Sequence, residues 1–149
     1  GLRLLMLLAA EPERLHTIAE IARRHGVSRS HLMKVAMPLT QAGIVESLRG
    51  RSGGLRLARD PGSIGLGEVV RATEESFYVV ECFNSDANTC RLTRACELKG
   101  VLHEAVTAFL AVLDGYTLAD LSGNSRLRRR MSQLIPVDSG SDVVTLRPD

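Results

Sequence analysis

Tryptophan is absent from this 149-residue chain, and aromatic residues make up only 3% of it. A core without large rings has to be built from Leu, Val, Ile and Ala, which suits helix packed on helix. Long apolar runs are missing as well: none approaches the roughly 20 residues that a membrane-spanning helix requires. No basic segment followed by an apolar stretch and a cleavage site marks export. A cytoplasmic protein without a membrane partner is therefore expected. Cysteine is scarce, three residues in all, and an odd number in a reducing compartment argues against a disulfide framework. There is no internal repeat. No Ser/His/Asp or paired-carboxylate constellation is visible either, so an enzyme is not expected.

What is present is a soluble composition, 44% hydrophobic and 24% charged with a mean hydropathy of +0.03, of a size for one domain or two small ones. The net charge of +2 hides an asymmetry: residues 1–60 hold ten Lys+Arg against five Asp+Glu, and residues 61–149 hold nine against twelve. The basic N-terminal part is the candidate for a polyanionic partner.

The apolar pattern 2-LRLLMLLAA-10 reads as a helix stopped by Glu11-Pro12, since proline disfavours continuation. A helix already under way at Leu2 predicts further chain before Gly1. In 17-TIAEIARRHGV-27, Thr17 and Glu20 form a capping-box pattern, Ile18, Ile21 and Ala22 a stripe, and Gly26 a stop. Ser28 can cap the next helix, 28-SRSHLMKVAMPLTQAG-43, with Leu32, Val35 and Leu39 on its inner face. Two helices joined by so short a turn, with small Ala22 at the crossing, predict a helix-turn-helix. Its outer face offers Ser30, Lys34, Thr40 and Gln41, with Arg29 near its start, to phosphates and base edges of double-stranded DNA.

Next, 44-IVESLRGRSGGLRLA-58 alternates on both sides of a glycine-rich tip, the pattern of a two-stranded hairpin. A hairpin after a helix-turn-helix is a wing, and Arg49 and Arg51 are placed to reach phosphates or a minor groove. A nucleotide-phosphate loop is disfavoured, because no Lys-Ser/Thr and helix follow the glycines.

Beyond the loop 60-DPGSIGLG-67, residues 68–76 read as a short helix. Residues 97–121 give the longest helical pattern, with more apolar surface than one small domain can bury, so one side is expected to pair two copies of the chain. The expected organisation is a DNA-binding domain over 1–60, a connecting helix and cysteine loop over 61–96, a dimerisation helix over 97–121 and a tail over 122–149. Arg126, Arg128, Arg129 and Arg130 in the tail read as a solvated run. The fold class is mainly α, a winged helix-turn-helix with a small two-stranded β-wing and a long C-terminal dimerisation helix.

All three cysteines lie in 82-CFNSDANTCRLTRAC-96. The C-x7-C-x5-C spacing does not match the paired C-x2-C of structural zinc sites. Polar residues between them suggest a loop that can fold three thiolates around one object. Spacing alone leaves zinc, an iron–sulfur cluster, a thiol redox switch and inert cysteines open. His16, His25, His31 and His103 each remain as a possible further ligand. His16 and His25, flanking the first helix of the motif, are expected to face solvent; His31 could instead contact DNA, and His103 lies two turns beyond the loop, so that reaching it would need a fold-back or a partner subunit.

The runs GVSRSHLMKVAMPLTQAGIVESLRGRSGGLRLA and GEVVRATEESF, the cysteine triplet after ECF and the closing YTLADL together resemble the iron–sulfur repressors of the NsrR/IscR/RirA family over roughly residues 1–121. The resemblance implies a bacterial winged-helix homodimer whose cluster state controls affinity for operator DNA. It assigns Cys82, Cys90 and Cys96 to the cluster, as [4Fe–4S] in preference to [2Fe–2S], places Ser28, Ser30 and Lys34 on the recognition helix, and puts Arg49 and Arg51 at the wing. Family chains begin about nine residues earlier, in the segment where nitric-oxide-sensing members carry an acidic fourth ligand. In the cluster-biogenesis branch a histidine follows the last cysteine by three residues, and here that position is Lys99. The resemblance leans to the nitric-oxide-sensing branch; C-x7-C and Pro38 also resemble the iron-responsive branch. A small iron–sulfur electron carrier and a zinc-stabilised module are the rivals from other classes.

Overall fold

The computed structural model describes residues 1–50 and 53–123. Helix α1 (Leu2–Ala10) is the hub of the core. Leu4, Leu5, Leu7, Leu8 and Ala9 are all buried, on more than one face, as expected of a helix surrounded by other elements. The elements that follow are α2 (Ile18–His25), α3 (Arg29–Gln41), strands β1 (Val45–Leu48) and β2 (Gly54–Leu57), α4 (Leu66–Thr73), α5 (Glu97–Asp114) and α6 (Leu118–Ser122); β2, α4 and α6 pack directly on α1, and α5 packs on α4. The core is aliphatic throughout, with Ile21, Leu32, Leu39, Ile44, Leu55, Ile64, Val69 and Leu118 joining α1.

The punctuation read from the sequence governs the helix-turn-helix. Thr17 Oγ1 accepts from Glu20 N at 3.2 Å, Ser28 Oγ accepts from His31 N at 3.1 Å, and Gly26 ends α2 in the left-handed conformation, φ 65°. Ala22 and Leu32 are buried where α2 and α3 cross, with Val27 and Val35 packed against them. β1 and β2 pair antiparallel, Val45 opposite Leu57 and Leu48 opposite Gly54, and Glu46 and Arg56 form a cross-strand ion pair. On its outer edge β2 also pairs with the backbone of His16. A Cβ on Gly54 would come within 2.9 Å of the His16 carbonyl oxygen, so glycine there permits the close approach.

Two helical spans differ from the sequence expectation. The short helix read over 68–76 runs over Leu66–Thr73, because Gly65 opens it earlier and the backbone turns extended at Glu74. The pattern read over 97–121 is two helices. α5 stops at Asp114, and Thr117 with Asp120 forms a capping box that starts α6, whose Leu118 is fully buried. A capping signal inside an apolar pattern was the missed cue. Backbone bonds from Leu66 N to Tyr116 O (2.9 Å) and from Leu118 N to Ile64 O (2.8 Å) tie this junction to the start of α4. The arginine run 126–130 lies outside the described residues.

Candidate DNA-binding groove and cysteine loop

The outer face of α3 and the wing enclose an open groove of about 670 Å³, lined among others by Ser30, Met33, Lys34, Met37, Thr40 and Arg49. Three of the residues singled out in the sequence, Ser30, Lys34 and Arg49, thus converge from two elements. Ser28 and Arg29 are exposed at the start of α3, beside the groove and not in its lining. Ser28 Oγ is engaged in capping and also stands 3.1 Å from Ser30 Oγ. Arg51 lies outside the described residues. His31 is on another side of α3, where it shares a small cavity with Arg3 and His25.

The cysteines lie on one continuous excursion between α4 and α5. Cys82 sits in a single 3-10 turn, Glu81–Phe83, Cys90 in the loop, and Cys96 caps α5. All three are half-buried and in no disulfide. The polar residues between them hold the loop's shape. Asn84 Oδ1 accepts from Asp86 N at 3.0 Å, Asn88 Oδ1 accepts from Cys90 N at 3.1 Å, and Thr93 Oγ1 donates to Cys90 O at 2.8 Å. Thr89 Oγ1 donates to Glu81 Oε2 at 2.9 Å, linking the Cys82 turn to the Cys90 segment. Three unpaired thiols on one loop fit iron ligation in their donor chemistry. Among the described residues, however, no three His, Cys, Asp or Glu side chains are grouped so that they could hold a metal ion. The three thiols stand on one loop without forming a ready-made cage.

His103 is nearer this loop than its place in the sequence suggested. The chain folds back so that Phe83, beside Cys82, meets the His103 ring edge-on at 5.9 Å between centroids. Both line a cavity of about 610 Å³ with Phe77, Lys99 and Val106. Lys99 therefore faces the excursion from α5, in the position where a histidine would mark the biogenesis branch.

The groove and the loop are joined through α4. Arg71 on α4 makes a bidentate pair with Asp114 at the end of α5, at 2.6 and 2.7 Å, and this guanidinium holds the Asp114 carboxyl below its usual range. Gly67 is buried beneath the pair, where a Cβ would collide with the Asp114 carboxylate. On its other side α4 packs on α3.

A family model described as Rrf2, iron-dependent transcriptional regulator, matches residues 1–124. The chain belongs to the Rrf2 family. This Rrf2 chain is 53% identical over 125 residues to the HTH-type transcriptional regulator NsrR of Bacillus subtilis (strain 168), covering 83% of this chain and 86% of that protein. It is 50% identical over 122 residues to the protein of the same name from Geobacillus kaustophilus (strain HTA426), covering 81% and 83%. Among solved structures, T. potens IscR is 30% identical with a TM-score of 0.58, covering 78% of this chain and 75% of that one. Staphylococcus aureus CymR in its oxidized form is 25% identical with a TM-score of 0.64, covering 83% and 90%. The winged helix-turn-helix fold and the role of DNA-binding transcriptional regulator follow from this membership. No helix among the described residues is long and apolar enough to cross a membrane.

One expectation for this Rrf2 chain is corrected, that His16 and His25 face solvent: His25 is half-buried. His16 does not face solvent: it is fully buried between Glu11 and Glu20, each 3.7 Å from one of its ring nitrogens. Arg24 Nη2 donates to Glu11 Oε1 at 2.7 Å, and Arg14 reaches Glu20 at 2.8 Å. Burial pushes the His16 imidazolium pKa down, against the pull of the two carboxylates. Thr17 and Glu20 make only half of the expected capping box, because the Glu20 carboxylate turns to this cluster. The cue was available in the alternation of His, Glu and Arg through residues 11–24, but a polar residue just before a helix cap reads by default as exposed.

Proposed function

We propose that this DNA-binding repressor ties its grip on operator DNA to an iron–sulfur cluster, [4Fe–4S] in preference to [2Fe–2S], ligated by Cys82, Cys90 and Cys96, and that nitric oxide is its signal. The observation that carries this reading is the loop of three unpaired, half-buried thiols ending at the cap of α5, in a chain about half identical to regulators named NsrR. The proposed assembly is a homodimer in a bacterial cytoplasm. Residues 1–60 carry the DNA contacts: Ser28, Arg29, Ser30 and Lys34 from α3, and Arg49 and Arg51 from the wing.

Bound to the loop, the cluster supplies iron centres with which nitric oxide combines. The protein's own part is mechanical. Cys96 belongs both to the loop and to the first turn of α5, so drawing the thiolates together fixes where α5 begins. The far end of α5 is clamped to α4 by Asp114 and Arg71, and α4 supports α3. A ligand shifts such an arrangement only by its differential affinity for the two loop states, about 1–3 kcal/mol for typical coupled sites.

The test is an anaerobic titration of nitric oxide into the iron-loaded full chain on an operator duplex, reading visible absorption and gel mobility together. Release of DNA in step with the loss of absorption is expected. Cys90→Ala and Cys96→Ala should leave a helical dimer without iron absorption. Absorption lost at constant affinity would sink the nitric-oxide reading. The family description, iron-dependent, favours a second reading in which affinity follows iron supply; that outcome would select it if withdrawing iron released the same duplex.

A further inference from the structure

Two methionines stand where a soluble helix would ordinarily present polar residues. Met33 is 59% and Met37 60% exposed, four residues apart and so on one face of α3. They are not spare core residues, since the core face of the same helix is filled by Leu32, Ala36 and Leu39. Both line the groove shared with Ser30, Lys34, Thr40 and Arg49. Lys34 and Arg49 complement phosphates, but a thioether gains nothing from a phosphate. The apolar group that a major groove does present is the C5 methyl of thymine. A flexible, polarisable side chain suits it, because methionine adapts to the position of its partner.

We propose that Met33 and Met37 read thymine C5 methyl groups, making thymine a specificity determinant of the operator half-site. The inference rests on the reading of α3 and the wing as the DNA-contacting surface. Thymine and cytosine differ at this edge both in hydrogen bonding and in the methyl. Replacing thymine by deoxyuridine removes the methyl alone, leaving every donor and acceptor in place, so the contribution can be isolated.

The experiment first selects duplexes from a random library with the anaerobically purified full chain. It then measures affinity for the best duplex and for copies carrying deoxyuridine at single thymines, with wild type and with the Met33→Ala, Met37→Ala double variant. Wild type should lose about fourfold per contacted thymine, the ratio corresponding to one buried methyl at about 0.8 kcal/mol. The double variant should bind thymine and deoxyuridine duplexes alike while its residual binding keeps the wild-type salt slope. Both methionines are exposed, so an unchanged thermal transition should accompany the variant. Equal wild-type affinity for thymine and deoxyuridine at every position would overturn the inference. So would an equal penalty in the double variant, which would place the methyl's effect in DNA shape or on another side chain. Altered sedimentation of the variant with DNA readout intact would assign the methionines to a protein contact, and the inference falls. Recovery of no duplex at all would sink the assignment of this surface to DNA itself.

Discussion

Val101→Arg should convert the proposed dimer into a monomer without unfolding the chain. α5 contains no buried residue, and Leu98, Val101, Phe109 and Val112 are 59%, 61%, 54% and 62% exposed. With Ala105 and Ala108 between them, Leu98, Val101 and Val112 repeat at three- and four-residue steps, a seam that a second copy can cover. Burying a valine fully is worth about 1.5 kcal/mol. With 61% of Val101 still exposed, about 0.9 kcal/mol per copy remains to be gained on pairing, or roughly 2 kcal/mol for the two copies of a two-fold interface. Summed over four such residues on each of two helices, the gross gain is on the order of 10 kcal/mol, comparable to the cost of association. The loss of one pair of contacts is therefore decisive.

Arginine adds a second penalty, since two guanidiniums meeting across the axis must be desolvated or must snorkel out. Together these amount to at least about 3 kcal/mol, a hundredfold or more in the dimer dissociation constant. In the monomer the same arginine follows Glu97 by four residues and precedes Glu104 by three, which favours the isolated helix by a few tenths of a kcal/mol. Sedimentation at micromolar concentration should show monomers with undiminished helical circular dichroism, and operator affinity should fall because half-site contacts are no longer linked. A variant that sediments as wild type, or a wild type that is already monomeric, would refute the reasoning.

The remaining predictions concern the body that carries α5. His16 and His25 both have their pKa lowered from about 6.5, chiefly by burial, so the unfolded chain binds protons that the folded chain refuses; stability is complete above that value and declines as pH falls below it, by up to about 1.4 kcal/mol per pH unit for each group. Urea unfolding between pH 7.5 and 5.5 should show this slope, reduced in His16→Gln, and an identical slope in that variant would remove His16 from the account. Gly67→Ala should change thermal stability little, because the colliding atoms are the mobile ends of Asp114 and Arg71 and alanine is the better helix former by about 1 kcal/mol. Yet it should separate the Arg71–Asp114 pair and weaken the proposed dependence of operator affinity on cluster state, and full retention of that dependence would show that the clamp transmits nothing.

Much of this was legible beforehand, for identifiable reasons. Thr17, Ser28 and Gly26 punctuate the helix-turn-helix through local backbone chemistry, and Ile44–Leu57 alternates around glycines, so both were readable within a few residues of the chain. The break at Gly115 was missed because its local cue, the Thr117–Asp120 capping box, lies inside an apolar pattern, and the contact that fixes it is tertiary. Ile64 and Tyr116, fifty-two positions apart, carry the carbonyls that bond Leu118 and Leu66, and only their meeting obliges the helix to restart. The Arg71–Asp114 clamp was hidden for the same reason, since it joins residues that the sequence separates, whereas the His16 cluster is local and was passed over because a polar residue before a helix cap reads as exposed. The groove's polar members were visible as types on a helix face. The two methionines were passed over in the sequence, and their exposure became visible only once the core was seen to be full without them.

A regulator of this shape can act through geometry where its individual bonds are weak. The Arg71–Asp114 pair is exposed and salt-screened, so its energy alone transmits little; what matters is that it fixes the angle at which α5 leaves the body. α5 has 18 residues, about 27 Å of helix, with the clamp at one end and Cys96 at the other. A tilt of about 10° about the clamp displaces the Cys96 end by about 5 Å along such a length. Successive base pairs are about 3.4 Å apart and half-sites about 34–36 Å. If two copies pair along α5, a tilt of that size shifts one reading groove relative to the other by more than a base pair. Contacts from Lys34 and Arg49 would then remain possible on one half-site at a time, so regulated release would require no change within the groove.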